Sequence, residues 1–333
     1  MQDLLKYVGQ FPQGVAPSEI ERHFKISRTT LHRRLKEEVA RGALLVIGKG
    51  PATRYQSADS LANISTYFER PHTERTVASY REALLAVEPG LHAGTLGQFR
   101  ALPKHTMDKR GLGRFLIDFS CASSVLEGGT YSMLDTQALL EYGEQASGKP
   151  VEDAFLVLNH KAAFEFLYDH ARLDSIFKVH DLLTNDHDLP GLKDSRHFLV
   201  KEFRGVAREY ADVDIALSAY LPPFRPGTGY IGKMLERILG TAEKIENPVQ
   251  AAFYLLTRIP YLQAFKDGNK RTSRAICNVP LLRANLPPLS FVDFGKRDYI
   301  VSMLAFYELG DTRLAERCFA DAYKKSIARL GIK

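Results

Sequence analysis

Cysteine is scarce in this 333-residue chain. Cys121, Cys277 and Cys318 are far apart, odd in number and without a CxxC spacing. That pattern excludes a disulfide framework and a cysteine-based zinc site. No apolar run approaches the roughly 18 residues needed to span a bilayer, so no membrane partner is expected. The opening stretch MQDLLKYVGQFPQG lacks a positively charged start, a long apolar run and a small-residue cleavage site. No secretion signal is therefore expected, and a reducing cytoplasm is the expected compartment. Internal repeats and low-complexity tracts are missing. Strand-like alternation is rare, and no histidine occurs after His197.

What is present reads as a soluble globular protein, with 45% hydrophobic and 25% charged residues. The length suits two or three domains. Net charge is +6, unevenly spread. Residues 1–59 hold ten Lys and Arg against six Asp and Glu, so a small basic head precedes a nearly balanced body. Such a head suits an anionic partner.

Within the head, LLKYV predicts a short first helix, and PSEIERHF a second that opens on Pro17 and Ser18. KIS reads as a tight turn. Ser27 can cap the next helix, RTTLHRRLKEEVARG, by accepting an exposed backbone N–H. That helix places Leu31, Leu35 and Val39 on one face and Arg28, Thr29, His32, Arg33 and Lys36 on the others. Gly42 stops it. LLVIGKGPATRYQ follows as two short strands, with Lys49 and Arg54 near the tip. Helix, turn, helix and basic hairpin resemble the winged helix-turn-helix DNA-binding domains. The resemblance implies double-stranded DNA as a partner, with the Arg-rich helix in the major groove and the hairpin cations on phosphate. The alternative is a small helical domain for protein contacts or dimerisation.

Residues 59–105 read as a polar connector and a helical extension, with an amphipathic stretch in ERPHTERTVASYREALLAV ending at Pro89-Gly90. From about residue 106 the periodicity is helical through GRFLIDFSCASSVLEGG, LDTQALLEYGEQAS, VEDAFLVLNHKAAFEFLYDHA and RLDSIFKVHDLLT. The best strand candidate is VDIALSAYLPPF, closed by Pro222-Pro223. Residues 106–333 are therefore expected to be an all-α body with one small β-hairpin. In SSVLEGG, Ser123 and Glu127 share a helix face at i, i+4, and Gly128 suits the left-handed position after a helix. Periodicity alone makes this a helix end with one solvated glutamate.

The stretch NPVQAAFYLLTRIPYLQAFKDGNKRTSRAICNVPLLR has a clearer plan. An apolar helix from Val249 to Tyr261 is broken by Asp267-Gly268-Asn269, and a new helix starts near Asn269. Its first N–H groups are unpaired and lie at the positive end of the macrodipole. Gly268 lets the backbone approach an anion. Lys270, Arg271 and Arg274 add positive charge, and Asp267 offers a hard carboxylate for Mg²⁺ beside phosphates. The loop reads as a holder for a Mg-nucleotide.

Gln263 to Arg274, QAFKDGNKRTSR, resembles the signature of Fic-domain proteins, H-x-F-x-(D/E)-G-N-(G/K)-R-x-x-R. Phe265, Asp267, Gly268, Asn269, Arg271 and Arg274 all fit. SSVLEG fits the inhibitory pattern of that family, (S/T)-x-x-x-E-(G/N), through Ser123, Glu127 and Gly128, 136 residues upstream of Gln263. This second fit reverses the reading of Glu127 as a solvated helix end. A winged helix beside a Fic domain is a familiar pairing. The expected architecture is mainly α: a winged helix-turn-helix domain, then an all-α Fic-like body with a small β-hairpin flap.

The resemblance implies ATP and Mg²⁺ as ligands, and AMP transfer to Ser, Thr or Tyr hydroxyls of a target protein docked on a flap near Ile215 to Pro222. Asp267 would hold Mg²⁺. Gly268 and Asn269 would cradle phosphate, Lys270 would lie beside them, Arg271 would grip phosphate, and Arg274 would pair with the γ-phosphate. Glu127, with Ser123 and Gly128, would reach Arg274 and inhibit. Two departures stand out. The position of the general base holds Gln263, whose amide cannot take a proton near pH 7. Lys270 replaces the usual glycine, as in the phosphorylating death-on-curing branch. His180, on a predicted helix, is expected to be packed or at the surface and not to replace the base. Two functions compete: a protein adenylyltransferase or phosphotransferase weakened at its base, and a DNA-bound, nucleotide-sensing regulator without catalysis. Either leaves room for a homodimer.

Overall fold

The computed structural model describes residues 2–58 and 60–331. Residue 1, residue 59 and residues 332–333, which end or begin the expected segments, lie outside the described residues. The chain divides into two compact units, Met1–Ala78 with Ile215–Tyr220, and Ser79–Asp214 with Leu221–Lys333.

The first unit opens with α1 (Gln2–Gly9), α2 (Pro17–Phe24) and α3 (Arg28–Ala40). Pro17 starts α2, and Lys25 adopts a left-handed φ of 51° to end it. The Ser27 hydroxyl accepts the Thr30 N–H at the start of α3, as its position in the sequence predicts. An antiparallel hairpin follows, β1 (Leu44–Ile47) against β2 (Arg54–Ser57), with Val46 opposite Tyr55. Val15 exchanges both backbone hydrogen bonds with Tyr55 and so adds a third extended segment. Leu4, Val8, Val15, Ile20, Leu31, Leu35, Leu44 and Tyr55 form one buried cluster. Because Leu31 and Leu35 face that cluster, Arg28, Thr29, His32, Arg33, Lys36 and also Arg34 are left exposed on α3. The unit continues past residue 58 into α4 (Ser60–Tyr67), where Ile64 and Tyr67 are buried.

The second unit is helical. Its elements are α5 (Ala93–Gln98), α6 (Lys109–Glu127), α7 (Met133–Tyr142), α8 (Val151–Asp169), α9 (Ile176–Leu183) and α10 (Pro190–Lys193). After them come α11 (Tyr230–Ala242), α12 (Pro248–Leu262), α13 (Asn269–Ile276), α14 (Asn278–Arg283), α15 (Lys296–Leu304) and α16 (Arg313–Arg329). At the centre lies α12, buried on every side from Val249 to Leu262, which is why its sequence is apolar all round. Its own rings Phe253, Tyr254 and Tyr261 are buried, and Phe253 meets Phe319 of α16 at 5.4 Å.

Two sequence expectations need correction. Residues 72–89 form no amphipathic helix; short 3-10 turns at His72–Glu74 and Glu82–Leu85 are joined by extended backbone. The reason is tertiary. The Tyr254 hydroxyl donates to the Leu85 carbonyl at 2.7 Å, and buried Arg258 donates to the carbonyls of Ala86, Val87 and Pro89 at 3.2, 3.2 and 2.7 Å. Carbonyls committed in this way cannot close helical turns. The expected strand in VDIALSAYLPPF shrinks to Tyr220–Leu221. Leu217 has a left-handed φ of 62°, and Pro222-Pro223 offers no N–H to extend a ladder.

The buried cluster of the first unit rests on Leu31 and Leu35. Leu35→Ala is expected to destabilise that unit by about 2–5 kcal/mol, read by urea unfolding together with amide exchange in α1 to α3. A loss well under about 1 kcal/mol would show that α3 is not anchored there.

Candidate functional site: a guanidinium clamp over a glycine turn

The turn between α12 and α13 is closed by its own side chains. Gln263 ends α12 in a left-handed conformation, φ 51°. Its Nε2 donates to the Pro260 carbonyl at 2.6 Å, and its Oε1 accepts from Asn269 Nδ2 at 3.0 Å. Asn269 also takes the Phe265 N–H at 2.9 Å and donates to the Phe265 carbonyl at 2.8 Å. Both ends of the Gln263 amide and all of the Asn269 amide are thus spent inside the turn. From below, Arg208 donates its Nε to the Gln263 carbonyl at 2.6 Å.

Gly268 has φ 75°, and a Cβ there would lie 2.7 Å from Thr184 Cγ2. Glycine is required both by the backbone conformation and by the space. No side chain caps the start of α13, so its first N–H groups stay open to an anion. His180 supports the turn from α9. Its ring stacks on Phe265 at 3.9 Å, its Nε2 meets the Asp267 carbonyl at 3.0 Å, and its Nδ1 accepts the Gly205 N–H at 2.8 Å. With both nitrogens engaged, His180 is a packed histidine, as expected, and has no free nitrogen for a base.

The three cations of the motif diverge. Lys270 is partly exposed. Arg271 turns inward: it donates to the Leu183 carbonyl at 3.3 Å, the His197 carbonyl at 2.6 Å and Asp267 Oδ2 at 2.8 Å. Its Nε is buried without a partner. The Asp267 side chain stays half exposed, at 49%. Arg274 is fully buried and crosses to α6. There Nε donates to Ser123 Oγ at 2.8 Å, and Nη2 donates to the Ser123 carbonyl at 3.2 Å and to Glu127 Oε1 at 2.7 Å. Tyr299 closes the other side, its hydroxyl 3.3 Å from Nη1. Gly128 caps α6 at φ 109°. Burial alone would raise the Glu127 carboxyl, but Arg274, then Lys270 and Arg271, outweigh it and hold it well below the usual carboxylate range. Glu127 is therefore a charged group, 14% exposed, and not the solvated helix end that periodicity describes.

Sequence spacing missed several residues of this arrangement. Tyr299, Thr184, Arg208 and the carbonyls of Leu183 and His197 come from segments with no local signature. Arg196 and Lys296 are also drawn to the site, where each would stand 3.3 Å from a Cβ at Gly128.

The sequence and the fold have counterparts among known proteins. Residues 170–281 match the Fic/DOC family. The match is confined to that stretch. It covers α9 to the middle of α14, and α6 with its Glu127 lies upstream of it. The protein adenylyltransferase Fic of Culex quinquefasciatus is 26% identical over 210 residues, 61% of this chain and 39% of that protein. The protein adenylyltransferase fic-1 of Caenorhabditis briggsae is 25% identical over 214 residues, with the same shares. This chain thus spans about two fifths of the curated relatives it matches. Fic-1 (residues 134–508) of C. elegans superposes with a TM-score of 0.53 at 23% identity, covering 71% of this chain and 68% of that one. A Fic family protein of Desulfovibrio desulfuricans G20 gives 0.52 at 18% identity, covering 74% and 73%.

Two buried histidines near the site are kept neutral. Burial, only partly offset by the bond to the Asp267 carbonyl, pushes His180 down to about 4 from its ordinary 6.5. Burial and then Arg274 push His160, on α8, down to about 3. Both folded values lie below the unfolded one, so the unfolded chain binds more protons in acid. The contribution is complete above about pH 6.5 and is lost as pH falls toward 4 and below. Each histidine adds up to about 1.4 kcal/mol of loss per pH unit. Urea unfolding between roughly pH 7 and pH 4.5 should show this fall; a flat profile would mean the two rings are not buried neutral.

Proposed function

We propose that this chain binds Mg-ATP at the turn 267–274, on a protein adenylyltransferase scaffold that Glu127 holds closed and that Gln263 leaves without a base. The observation that carries the reading is the buried Glu127–Arg274 pair at 2.7 Å, because it joins the two sequence motifs in one place. The start of α13 at Gly268 is buried but has no side-chain cap, and its free N–H groups suit a phosphate with partly exposed Lys270 beside them. Among the described residues no group of three or more His, Cys, Asp or Glu forms a metal cage. Half-exposed Asp267 nevertheless fits Mg²⁺, which normally takes one or two carboxylates and completes its shell with phosphate and water. When bound, the ion neutralises phosphate charge. AMP transfer requires a target hydroxyl to attack the α-phosphorus, losing its proton as pyrophosphate leaves. A histidine at position 263 would take that proton; the Gln263 amide cannot, and its two ends are already engaged. A target segment would dock along the stretch around Leu221, whose carbonyl accepts the Tyr80 N–H at 3.1 Å.

The test uses ATP labelled at either the α- or the γ-phosphate, with Mg²⁺, and follows transfer to protein. The parent and Glu127→Gly should transfer neither label. Gln263→His combined with Glu127→Gly should transfer the α-label, with a gain of about 10²–10⁴ over Glu127→Gly. Transfer by the parent, or by Glu127→Gly at a comparable rate, would sink the claim of a missing base. Transfer of the γ-label would assign the site to phosphorylation, the alternative that Lys270 raises. Absence of Mg-ATP binding in every variant would remove the nucleotide reading.

A second reading has its own support. The exposed face of α3 carries Arg28, Thr29, His32, Arg33 and Lys36, and Lys49 and Arg54 are exposed on the hairpin. We infer a winged helix-turn-helix that binds double-stranded DNA, making the chain a DNA-bound regulator with a nucleotide-sensing body. Duplex affinity should fall steeply with salt, and Arg33→Ala should reduce the slope of log affinity against log salt by about one. Binding that is absent or indifferent to salt would make this unit a protein-contact module instead.

A further inference from the structure

Gly128 has a second role besides ending α6. Its φ of 109° admits few side chains, and the space where its Cβ would stand is bordered by Arg196 Nη2 and Lys296 Nζ, each at 3.3 Å. The two cationic nitrogens are therefore no more than twice that distance apart. Neither forms an ion pair with a carboxylate among the described residues; Arg196 Nε lies 3.4 Å from His197 Nε2, a ring nitrogen. Both residues are exposed, so solvent ligands can reach them. Lys296 also opens α15, at the helix end where the macrodipole disfavours a cation. Asp298 in the same turn approaches Gly295 instead, 3.0 Å from where a Cβ would be. The neighbouring carboxylate, Glu127, is already bound to Arg274, with Lys270 and Arg271 also acting on it. Two like charges approach one another beside Gly128, and no carboxylate among the described residues is bonded to either. An oxyanion bridging the two nitrogens from the solvent side of Gly128 would satisfy both, with the charge-assisted bonds that make such contacts strong.

We propose that Arg196 and Lys296, converging over Gly128, form a phosphate subsite separate from the Arg274 clamp. The occupant is a phosphate dianion, either the terminal phosphate of a bound nucleotide or a free pyrophosphate. With a nucleotide in place, the subsite holds the terminal phosphate while Glu127 remains on Arg274, so binding does not require the clamp to open. The nucleotide form of the proposal rests on the Mg-ATP reading above; the pyrophosphate form does not.

Isothermal titration of the full chain distinguishes these cases, using Mg-ATP, AMP and pyrophosphate. Arg196→Ala combined with Lys296→Ala is expected to weaken ATP by about tenfold or more while leaving AMP unchanged. In a Glu127→Gly background the same pair of substitutions should cost less, because Arg274 becomes available to the terminal phosphate. Both residues are exposed, so the melting temperature should not move, and a melt on each variant checks this. Loss of pyrophosphate binding with ATP unchanged would assign the subsite to the free anion. Equal weakening of ATP and AMP, or no effect on either ATP or pyrophosphate, would overturn the subsite. If the parent binds neither ATP nor AMP, the nucleotide reading fails, and pyrophosphate binding alone decides: dependence on the two cations supports the subsite, and its absence overturns it.

Discussion

Arg274 carries a full charge into a part of the molecule that water does not reach. Taking a guanidinium out of solvent costs several kcal/mol even after relaxation, and only well-placed acceptors offset that cost. Two separated stretches converge to provide them: Ser123 and Glu127 from α6, and Tyr299 from α15. The clamp is thus a structural keystone as well as a candidate regulatory contact. Removing one partner of such a buried pair usually costs about 3–5 kcal/mol, whereas an exposed pair such as Arg172–Asp174 is screened by solvent. Any ligand that displaces Glu127 must give Arg274 an equivalent anion. A phosphate does so.

The surrounding turn obeys the same economy. Every polar group that could wander is tied down: Gln263 to Asn269, Asn269 to Phe265, Asp267 to Arg271, and His180 to the Asp267 carbonyl. What remains open is the start of α13, partly exposed Lys270, and one edge of Asp267. A rigid rim around an open, positive helix end is the arrangement that binds phosphate without first having to reorganise. The same rigidity accounts for Gln263. Its amide completes the hydrogen bonding of the turn from both ends, so the position has become part of the scaffold.

Much of this was legible in the residues alone. DGN after an apolar helix announces a turn with free N–H groups, and Gly128 after Ser123 and Glu127 announces a helix end. The apolar face of α3, set by Leu31 and Leu35, left its cations exposed as expected. The failures are equally instructive. Residues 72–89 have a helical pattern, but Tyr254 and Arg258, more than 160 residues away in sequence, donate to the carbonyls of Leu85, Ala86, Val87 and Pro89 at the end of that stretch. Local propensity amounts to tenths of a kcal/mol per residue, and a buried arginine that needs three acceptors outweighs it.

Local chemistry, written in the sequence, determined which groups could bind phosphate and which could not abstract a proton. Glycine at 268 and 128, carboxylates at 267 and 127, cations at 270, 271 and 274, and an amide at 263 define that set whatever the fold. Tertiary structure alone decided how the set is divided. It turned Arg271 inward and sent Arg274 across to Glu127. It also brought Arg196 and Lys296 to Gly128 from segments that no spacing rule connects. Side-chain identity sets the charge and hydrogen-bonding capacity of a group. Which partner it meets depends on long-range packing, which brings residues 151 positions apart to 2.8 Å.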